Sequence, residues 1–234
     1  MKDREIDDIL KQAAQAPHDM DPAMLDRVAG SIGSSLGPVR PLPPVWLLAG
    51  GLALICATVA LLGAARSGFY GFQKLSGLER ALIFSALGTF TWLASTACVR
   101  EIIPGSRRQF APGFLLGAGS LALIAVFGIL FRDYRTDHFL LQGIVCLTAG
   151  LLHAIPAGLA SWFVLRRGFA VNAAAAGLVT GMLAGLAGVT MLELHCANLQ
   201  APHVMLWHIA VIPVSAAAGA LLAREFRLRA GSRT

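Results

Sequence analysis

The stretch from Val171 to Leu192 reads VNAAAAGLVTGMLAGLAGVTML and contains no charged residue. A helix needs about 20 consecutive apolar residues to cross the hydrocarbon core of a bilayer, so this segment is long enough to span a membrane. Gly177, Gly181 and Gly185 follow one another at intervals of four residues, with Gly188 close behind. This spacing puts small residues on one helix face, where a neighbouring helix can approach closely. The stretch therefore predicts a tightly packed transmembrane helix.

Similar apolar runs recur along the chain after residue 44. We expect spans at about 45–65, 80–100, 111–131, 140–165, 171–192 and 204–223. The 234 residues are 56% hydrophobic and only 14% charged, which excludes an ordinary soluble domain. The third span carries Gly113 and Gly117, for which we expect the same close packing. The sequence thus predicts an all-α, polytopic membrane protein whose residues 44–224 form a six-helix transmembrane bundle.

Residues 1–43 form a polar tail with two short helical patterns. In the first pattern, apolar residues recur at helical spacing at Ile6, Ile9, Leu10 and Ala13. The second begins with Asp21 as N-cap and Pro22 at the first helical position. Its apolar side carries Met24, Leu25, Val28 and Ile32. A short helical N-terminal tail is therefore expected, with apolar faces that it cannot bury alone.

Lysine and arginine are divided unequally between the two sides of the predicted bundle. The tail, the loops at 100–110 and 166–170 and the C-terminus together carry fourteen, whereas the opposite side carries five. Short cytoplasmic loops of membrane proteins carry the excess of these residues. We therefore expect the N-terminal tail and a C-terminal tail at residues 225–234 to lie in the cytoplasm.

Potential metal or redox groups cluster around the last loop of the opposite, outer side. They are Glu193, His195, Cys196, His203 and His208, spread over the loop and the adjoining helix ends. Thiolate and imidazole ligands suit zinc or copper, so the candidate metal ligands are His195, Cys196, His203 and His208. Their spacing matches no specific metal motif, and polar side chains at a membrane interface are the alternative. We expect no cofactor beyond such a metal ion.

The fourth predicted span adds Cys146 and His153, which are seven residues apart and share a helical face. Cys146 and Cys196 are both expected in the outer half of the bundle. A reversible disulfide, a metal-bridged pair and two separate buried thiols are all compatible with that placement. His153 is a functional candidate because polar groups are costly in lipid; a hydrogen bond to a helix carbonyl or to Thr148 is equally compatible.

Two broader classes of function follow from these groups. A small transporter or channel would use His153 and the outer histidines and cysteines. An enzyme has little support, because the sequence contains no phosphate-binding loop, no nucleophile elbow, no HExxH motif and no paired carboxylates within a span. We therefore expect no enzymatic activity.

A series of features between residues 140 and 223 occurs in a recognisable order. The series comprises Cys146-Leu147, Pro156, Arg166-Arg167-Gly168, the glycine-rich fifth span, Leu194-His195-Cys196 and Trp207. In this order the features resemble the NrsF-like family of bacterial six-span membrane anti-sigma factors. The resemblance implies a protein that holds an extracytoplasmic-function sigma factor at the inner membrane through its N-terminal segment. It also implies release of that partner on an envelope, redox or metal stress signal.

The resemblance places the signal-receiving cysteines of the family on Cys146 and Cys196, and we expect His195 to tune their reactivity. The expected partner-binding residues are Ile6, Ile9, Leu10, Ala13, Met24, Leu25, Val28 and Ile32. The tail carries seven acidic and five basic residues, so it can mask the basic surface with which a sigma factor binds DNA. The expected partners are a sigma factor and membrane lipid, without direct contact to nucleic acid.

Overall fold

A computed structural model describes Lys11 and residues 21–35, 43–103, 106, 110–165 and 172–231. Within these residues the regular secondary structure is entirely helical. The chain divides after Leu42 into two units, an N-terminal one and a larger one from Pro43 onwards. Each unit is described separately below.

The N-terminal unit contains the helix Pro22–Ser35. The helix starts where the sequence predicts, because the Asp21 side chain accepts a hydrogen bond from the backbone N–H of Ala23 at 3.0 Å. Its apolar side chains, Met24, Leu25, Val28 and Ile32, are 46–55% exposed. Ile6, Ile9, Leu10 and Ala13 lie outside the described residues.

The larger unit contains six helices that are long and apolar enough to cross a membrane, as the sequence predicts. The first five spans are Val45–Ser67, Gly77–Glu101, Pro112–Leu130, Phe139–Leu165 and Ala173–His195. The sixth runs from a short α turn, Ala201–His203, through a π turn, Val204–His208, into the helix Ile209–Gly231. A short helix, Tyr70–Lys74, lies between the first two spans. The prediction of an all-α, six-helix membrane bundle is therefore confirmed.

Local sequence signals mark where several of the spans begin. Ser76 and Glu79 form a capping box, in which the Ser76 hydroxyl accepts from the Glu79 N–H and the Glu79 carboxylate accepts from the Ser76 N–H. Pro112 occupies the start of the third span, where its missing N–H costs nothing. The Asn172 side chain caps the fifth span by accepting from the N–H of Ala175 at 3.0 Å.

The fifth span lies at the centre of the bundle. Sixteen of its residues are buried, compared with three in the third span. Cβ atoms added to Gly177 and Gly181 would overlap the backbone carbonyl groups of Gly219 and Ser215 on the sixth span. Gly188 approaches the backbone of the fourth span in the same way. The predicted packing role of these glycines is confirmed, since only hydrogen at these positions lets the neighbouring backbones come so close.

The prediction of close packing at Gly113 and Gly117 is wrong. No described neighbouring atom lies within 4 Å of a Cβ built at either position, whereas a Cβ on Gly119 would overlap the ring of Phe90. Residues two apart on a helix point to nearly opposite sides, so Gly119 faces the second span and Gly117 faces outward. Spacing identifies a small-residue stripe, but it does not say whether a neighbouring helix covers that stripe.

The outward faces of the spans are strongly apolar. Leu121, Ile129 and Leu141 are 67%, 74% and 72% exposed, respectively. A soluble protein rarely presents apolar side chains in such a continuous surface, whereas lipid tails are a suitable environment for them. The surface of the bundle therefore fits the membrane location that the helix lengths indicate.

The replacement Gly181→Ala is expected to destabilise the bundle by at least about 1–3 kcal/mol, because the new methyl group forces two helix backbones apart. Gly113→Ala serves as the matched control; it meets no neighbour within 4 Å and replaces a poor helix former with a good one. Thermal unfolding of the purified proteins in the same detergent measures both effects. Equal melting temperatures for Gly181→Ala and wild type would contradict this account of the packing.

Candidate functional site

The loop at 196–200 meets two other loops at one end of the bundle, which we call the site end. The Nδ1 atom of His195 lies 3.1 Å from the carbonyl oxygen of Gly68, in the loop after the first span. The N–H of Ala201 donates to the carbonyl of Asp133, in the loop after the third span, at 2.7 Å. Residues from all three connections therefore converge at the site end.

Two cysteines from different helices meet there. Cys146 lies in the second turn of the fourth span, and Cys196 immediately follows the fifth. Their Sγ atoms are 3.6 Å apart. Cys196 is buried and Cys146 is half-buried. The pKa of the Cys196 thiol is raised above its ordinary value, mainly by the hydrogen bond with Cys146 and to a smaller extent by burial. The hydrogen bond with His203 acts in the opposite direction and lowers this pKa.

Two histidines complete a compact group with these thiols. The Nε2 atom of His203 lies 3.7 Å from the Cys196 Sγ, and His203 and His208 are 0% and 1% exposed. Four potential ligand atoms lie within 4.8 Å of one another. They are contributed, one each, by Cys146, Cys196, His203 and His208. We call this group the Cys/His cluster. It brings together three of the four predicted metal ligands, with Cys146 in place of His195.

The π turn Val204–His208 explains how two histidines five residues apart can share the cluster. In an α-helix, residues three or four apart lie on one face, and residues five apart diverge. A π turn has more residues per turn and i→i+5 hydrogen bonds, so it aligns positions five apart. The rings of His203 and His208 accordingly pack edge to face, with centroids 5.2 Å apart.

Glu193 is a buried residue of the site that the sequence alone misplaces. A fifth span ending near residue 192 would put Glu193 in a loop, but the helix continues to His195 and Glu193 is 1% exposed. Its Oε1 atom lies 2.6 Å from the Nδ1 of His208. The apolar residue Leu194 is the sequence signal that the helix continues. Since Nδ1 of His208 is engaged with Glu193, Nε2 is the ring nitrogen available to the cluster.

Two buried polar atoms at the site have no hydrogen-bond partner among the described residues. They are Nδ1 of His203 and Oε2 of Glu193. Buried polar atoms are nearly always paired, because leaving one unsatisfied costs about 1–3 kcal/mol. Both atoms are therefore open to a bond with a water molecule or with a ligand at the cluster.

The family model for NrsF, described as negative regulator of sigma F, matches residues 33–228. The chain belongs to the NrsF family. The match includes all six candidate spans and every member of the Cys/His cluster. It assigns the chain to negative regulators of sigma factors and confirms the resemblance drawn from residues 140–223. No curated protein and no solved structure matches the chain.

Two further histidines of this NrsF-family protein have other surroundings. The ring of His195 makes its hydrogen bond with Gly68 and lies beside Tyr70, with ring centroids 5.9 Å apart. The Nδ1 of His153 lies 2.8 Å from the carbonyl oxygen of Ala149, so the helix-carbonyl alternative is the one observed. A tuning effect of His195 on the thiols stays a prediction.

The short helix Tyr70–Lys74 holds the Cys196 segment of the NrsF-family chain in place. A Cβ built on Gly71 would lie 2.6 Å from the carbonyl oxygen of Cys196 and 2.7 Å from that of Glu193. The Nζ of Lys74 donates to the carbonyl of Ala197 at 3.0 Å. Because backbone atoms on both sides form this contact, the position of Cys196 depends on Gly71 having no side chain.

The replacement Gly71→Ala is expected to displace Cys196 and to lower the yield of a Cys146–Cys196 disulfide several-fold. In the reaction, the two thiols lose two protons and two electrons to an added oxidant such as diamide. Mass spectrometry of proteolytic fragments, with chelator present, measures the linked product. Gly77→Ala is the matched control, since its Cβ meets nothing described within 4 Å. Equal yields for Gly71→Ala and wild type would show that this contact does not position the thiol.

Proposed function

We propose that the chain sequesters an extracytoplasmic-function sigma factor at the bacterial inner membrane and releases it on an envelope, redox or metal stress signal. The family match over residues 33–228 carries this proposal. Six apolar helices provide the membrane anchor. The bias of lysine and arginine supports a cytoplasmic location, where a sigma factor acts, for both tails, residues 1–43 and 225–234. The site end then faces the opposite side of the membrane.

The helix Pro22–Ser35 is the part of the tail that best supports a partner-binding role. It presents a row of exposed apolar side chains, and an amphipathic helix commonly binds by laying such a face in a groove. The net negative charge of the tail complements the basic DNA-binding surface of a sigma factor. The full proposed contact set is Ile6, Ile9, Leu10, Ala13, Met24, Leu25, Val28 and Ile32.

The double replacement Leu25→Asp and Val28→Asp is expected to reduce the sigma factor retained at the membrane at least tenfold. Buried apolar anchors of an interface commonly contribute more than about 1 kcal/mol each, and about 1.4 kcal/mol corresponds to a factor of ten. Membranes from cells producing the full-length chain are separated from cytosol, and sigma factors in both fractions are quantified by mass spectrometry. Transcription from promoters of the released sigma factor should rise in parallel.

The matched control is the double replacement Ala23→Asp and Gly30→Asp. It adds the same two charges to the same helix, on the side away from Leu25 and Val28. Retention should be preserved in this control, because the apolar face remains intact. If both double variants lose the partner equally, added charge and not the apolar face explains the result. If neither loses it, this helix does not bind the sigma factor.

We place reception of the signal at Cys146 and Cys196, with His195 tuning their reactivity. The support is the 3.6 Å distance between two thiols that are 50 residues apart in sequence, one in the fourth span and one immediately after the fifth. Either oxidation of the pair or capture of a metal ion changes how these two helices are joined. The signal is thus received on the side of the membrane opposite the tail.

The replacement Cys196→Ser is expected to abolish induction of sigma-dependent transcription by diamide and by metal salts. Serine cannot form a disulfide and is a poor ligand for soft metal ions. Cys56→Ser is the control, because the buried Cys56 thiol bonds the Leu183 carbonyl at 3.7 Å and a hydroxyl can replace it. Normal induction in Cys196→Ser would remove the thiol pair from the signalling mechanism. Basal retention of the sigma factor, measured first in each variant, identifies those that fail to fold.

A further inference from the structure

We propose that Cys146, Cys196, His203 and His208 form a four-coordinate site for a divalent cation of the zinc type, with Glu193 as the residue that orients His208. The regulatory meaning of this site rests on the function proposed above, but binding of the ion does not. The residues come from the fourth span, the end of the fifth span and the π turn of the sixth.

The distances in the cluster match the edges of a tetrahedral site. With Zn–S bonds of about 2.3 Å and Zn–N bonds of about 2.0–2.1 Å, two sulfur ligands lie about 3.8 Å apart and a sulfur and a nitrogen about 3.6 Å apart. The Cys146 and Cys196 sulfur atoms are 3.6 Å apart, and Cys196 Sγ is 3.7 Å from His203 Nε2. All four ligand atoms lie within 4.8 Å of one another, so shifts of about 1.0–1.4 Å at most bring every pair to a tetrahedral edge.

The donor set has the chemistry of a closed zinc site. Two thiolates and two imidazoles are a recurring ligand combination for tetrahedral zinc. As each sulfur–metal bond forms, the thiol releases its proton to solvent. The two thiolates then balance the charge of the divalent ion, so the buried centre carries no net charge from metal and ligands. This neutrality matters because the cluster is largely shielded from water.

Glu193 supplies the outer support that such sites require. A histidine that binds a metal through one ring nitrogen usually donates the other N–H to a carboxylate, which fixes its tautomer and orientation. The 2.6 Å contact between Glu193 Oε1 and His208 Nδ1 has this arrangement. This contact leaves Nε2 of His208 as the ring nitrogen available to the cluster. Metal binding by His208 therefore accounts for the carboxyl group buried beside it.

Cobalt(II) is a suitable spectroscopic probe for this site. The full-length chain, purified in detergent, reduced and stripped with a chelator, is titrated with Co²⁺. We expect one ion per chain, thiolate-to-cobalt absorption in the near ultraviolet and the visible bands of tetrahedral cobalt. Addition of Zn²⁺ should remove these bands by displacing the probe. Absence of thiolate-to-cobalt absorption in the folded, reduced protein would overturn the proposal.

Single replacements distinguish the residues that bind the metal from Glu193, which orients His208. Cys196→Ser and His203→Ala should each remove the tetrahedral cobalt spectrum. Glu193→Gln should retain the spectrum and weaken binding about 10–100-fold, the usual effect of losing a supporting carboxylate. Cys56→Ser is the matched control for Cys196→Ser, because the buried Cys56 thiol lies outside the cluster and bonds the Leu183 carbonyl. Unchanged affinity in His203→Ala and His208→Ala would exclude the histidines as ligands, and unchanged affinity in Glu193→Gln would exclude its orienting role.

Two measurements keep these outcomes interpretable. Gel filtration and thermal unfolding without metal show whether each variant is folded; Cys146→Ser and His208→Gln replace any ligand variant that is not. Membrane retention of the sigma factor is measured separately in the same variants. Cobalt binding with the expected pattern but no retained sigma factor would overturn the proposed function and leave the metal site standing. Retention of the sigma factor without cobalt binding would overturn the metal site and leave the proposed function standing.

Discussion

Direct contact between helix backbones along the fifth span is the constraint on which the rest of the structure depends. Lipid offers no hydrophobic force that would drive apolar helices together, so association relies on close packing. Glycines on the fifth span allow the fourth and sixth spans to approach until backbone meets backbone. Contacts of this kind leave little freedom to slide or rotate, because no flexible side chain lies between the helices. The ends of these three helices are consequently fixed relative to one another.

The Cys/His cluster lies at those ends. The rigid packing of the helices fixes the positions of its side chains relative to one another. Each of the three helices contributes to the cluster or to its support, and the π turn supplies the local change of pitch that two histidines need. A polar group so close to lipid would be costly on a helix that could rotate outward. Here Oε1 of Glu193 and Nδ1 of His208 bond one another inside the bundle, where the packing keeps them. The apolar surroundings strengthen this interaction, since the local dielectric constant is low.

Sequence patterns predicted the features of this protein that depend on short stretches of chain. Apolar runs of the right length gave the six spans, and Asp21 with Pro22 gave the start of the tail helix. Gly113 shows the limit of the same reasoning, because a stripe of small residues does not reveal which neighbour covers it. The contact between Cys146 and Cys196 joins two helices, so its distance depends on packing that no local pattern contains. The sequence supplied the candidates for the site, whereas the fold selected among them.

The absence of a side chain at Gly71 joins the Cys196 segment mechanically to the first span. The Cys196 carbonyl rests against this residue, and the connection that contains it leads directly back into the first span. That span is 23 residues long, or about 35 Å at 1.5 Å per residue, and a continuous helix resists compression along its axis. Its N-terminal end is Val45, which is close in sequence to the N-terminal tail. The first span is thus a stiff rod that has one end against the thiol-bearing segment and the other end joined, in sequence, to the N-terminal unit.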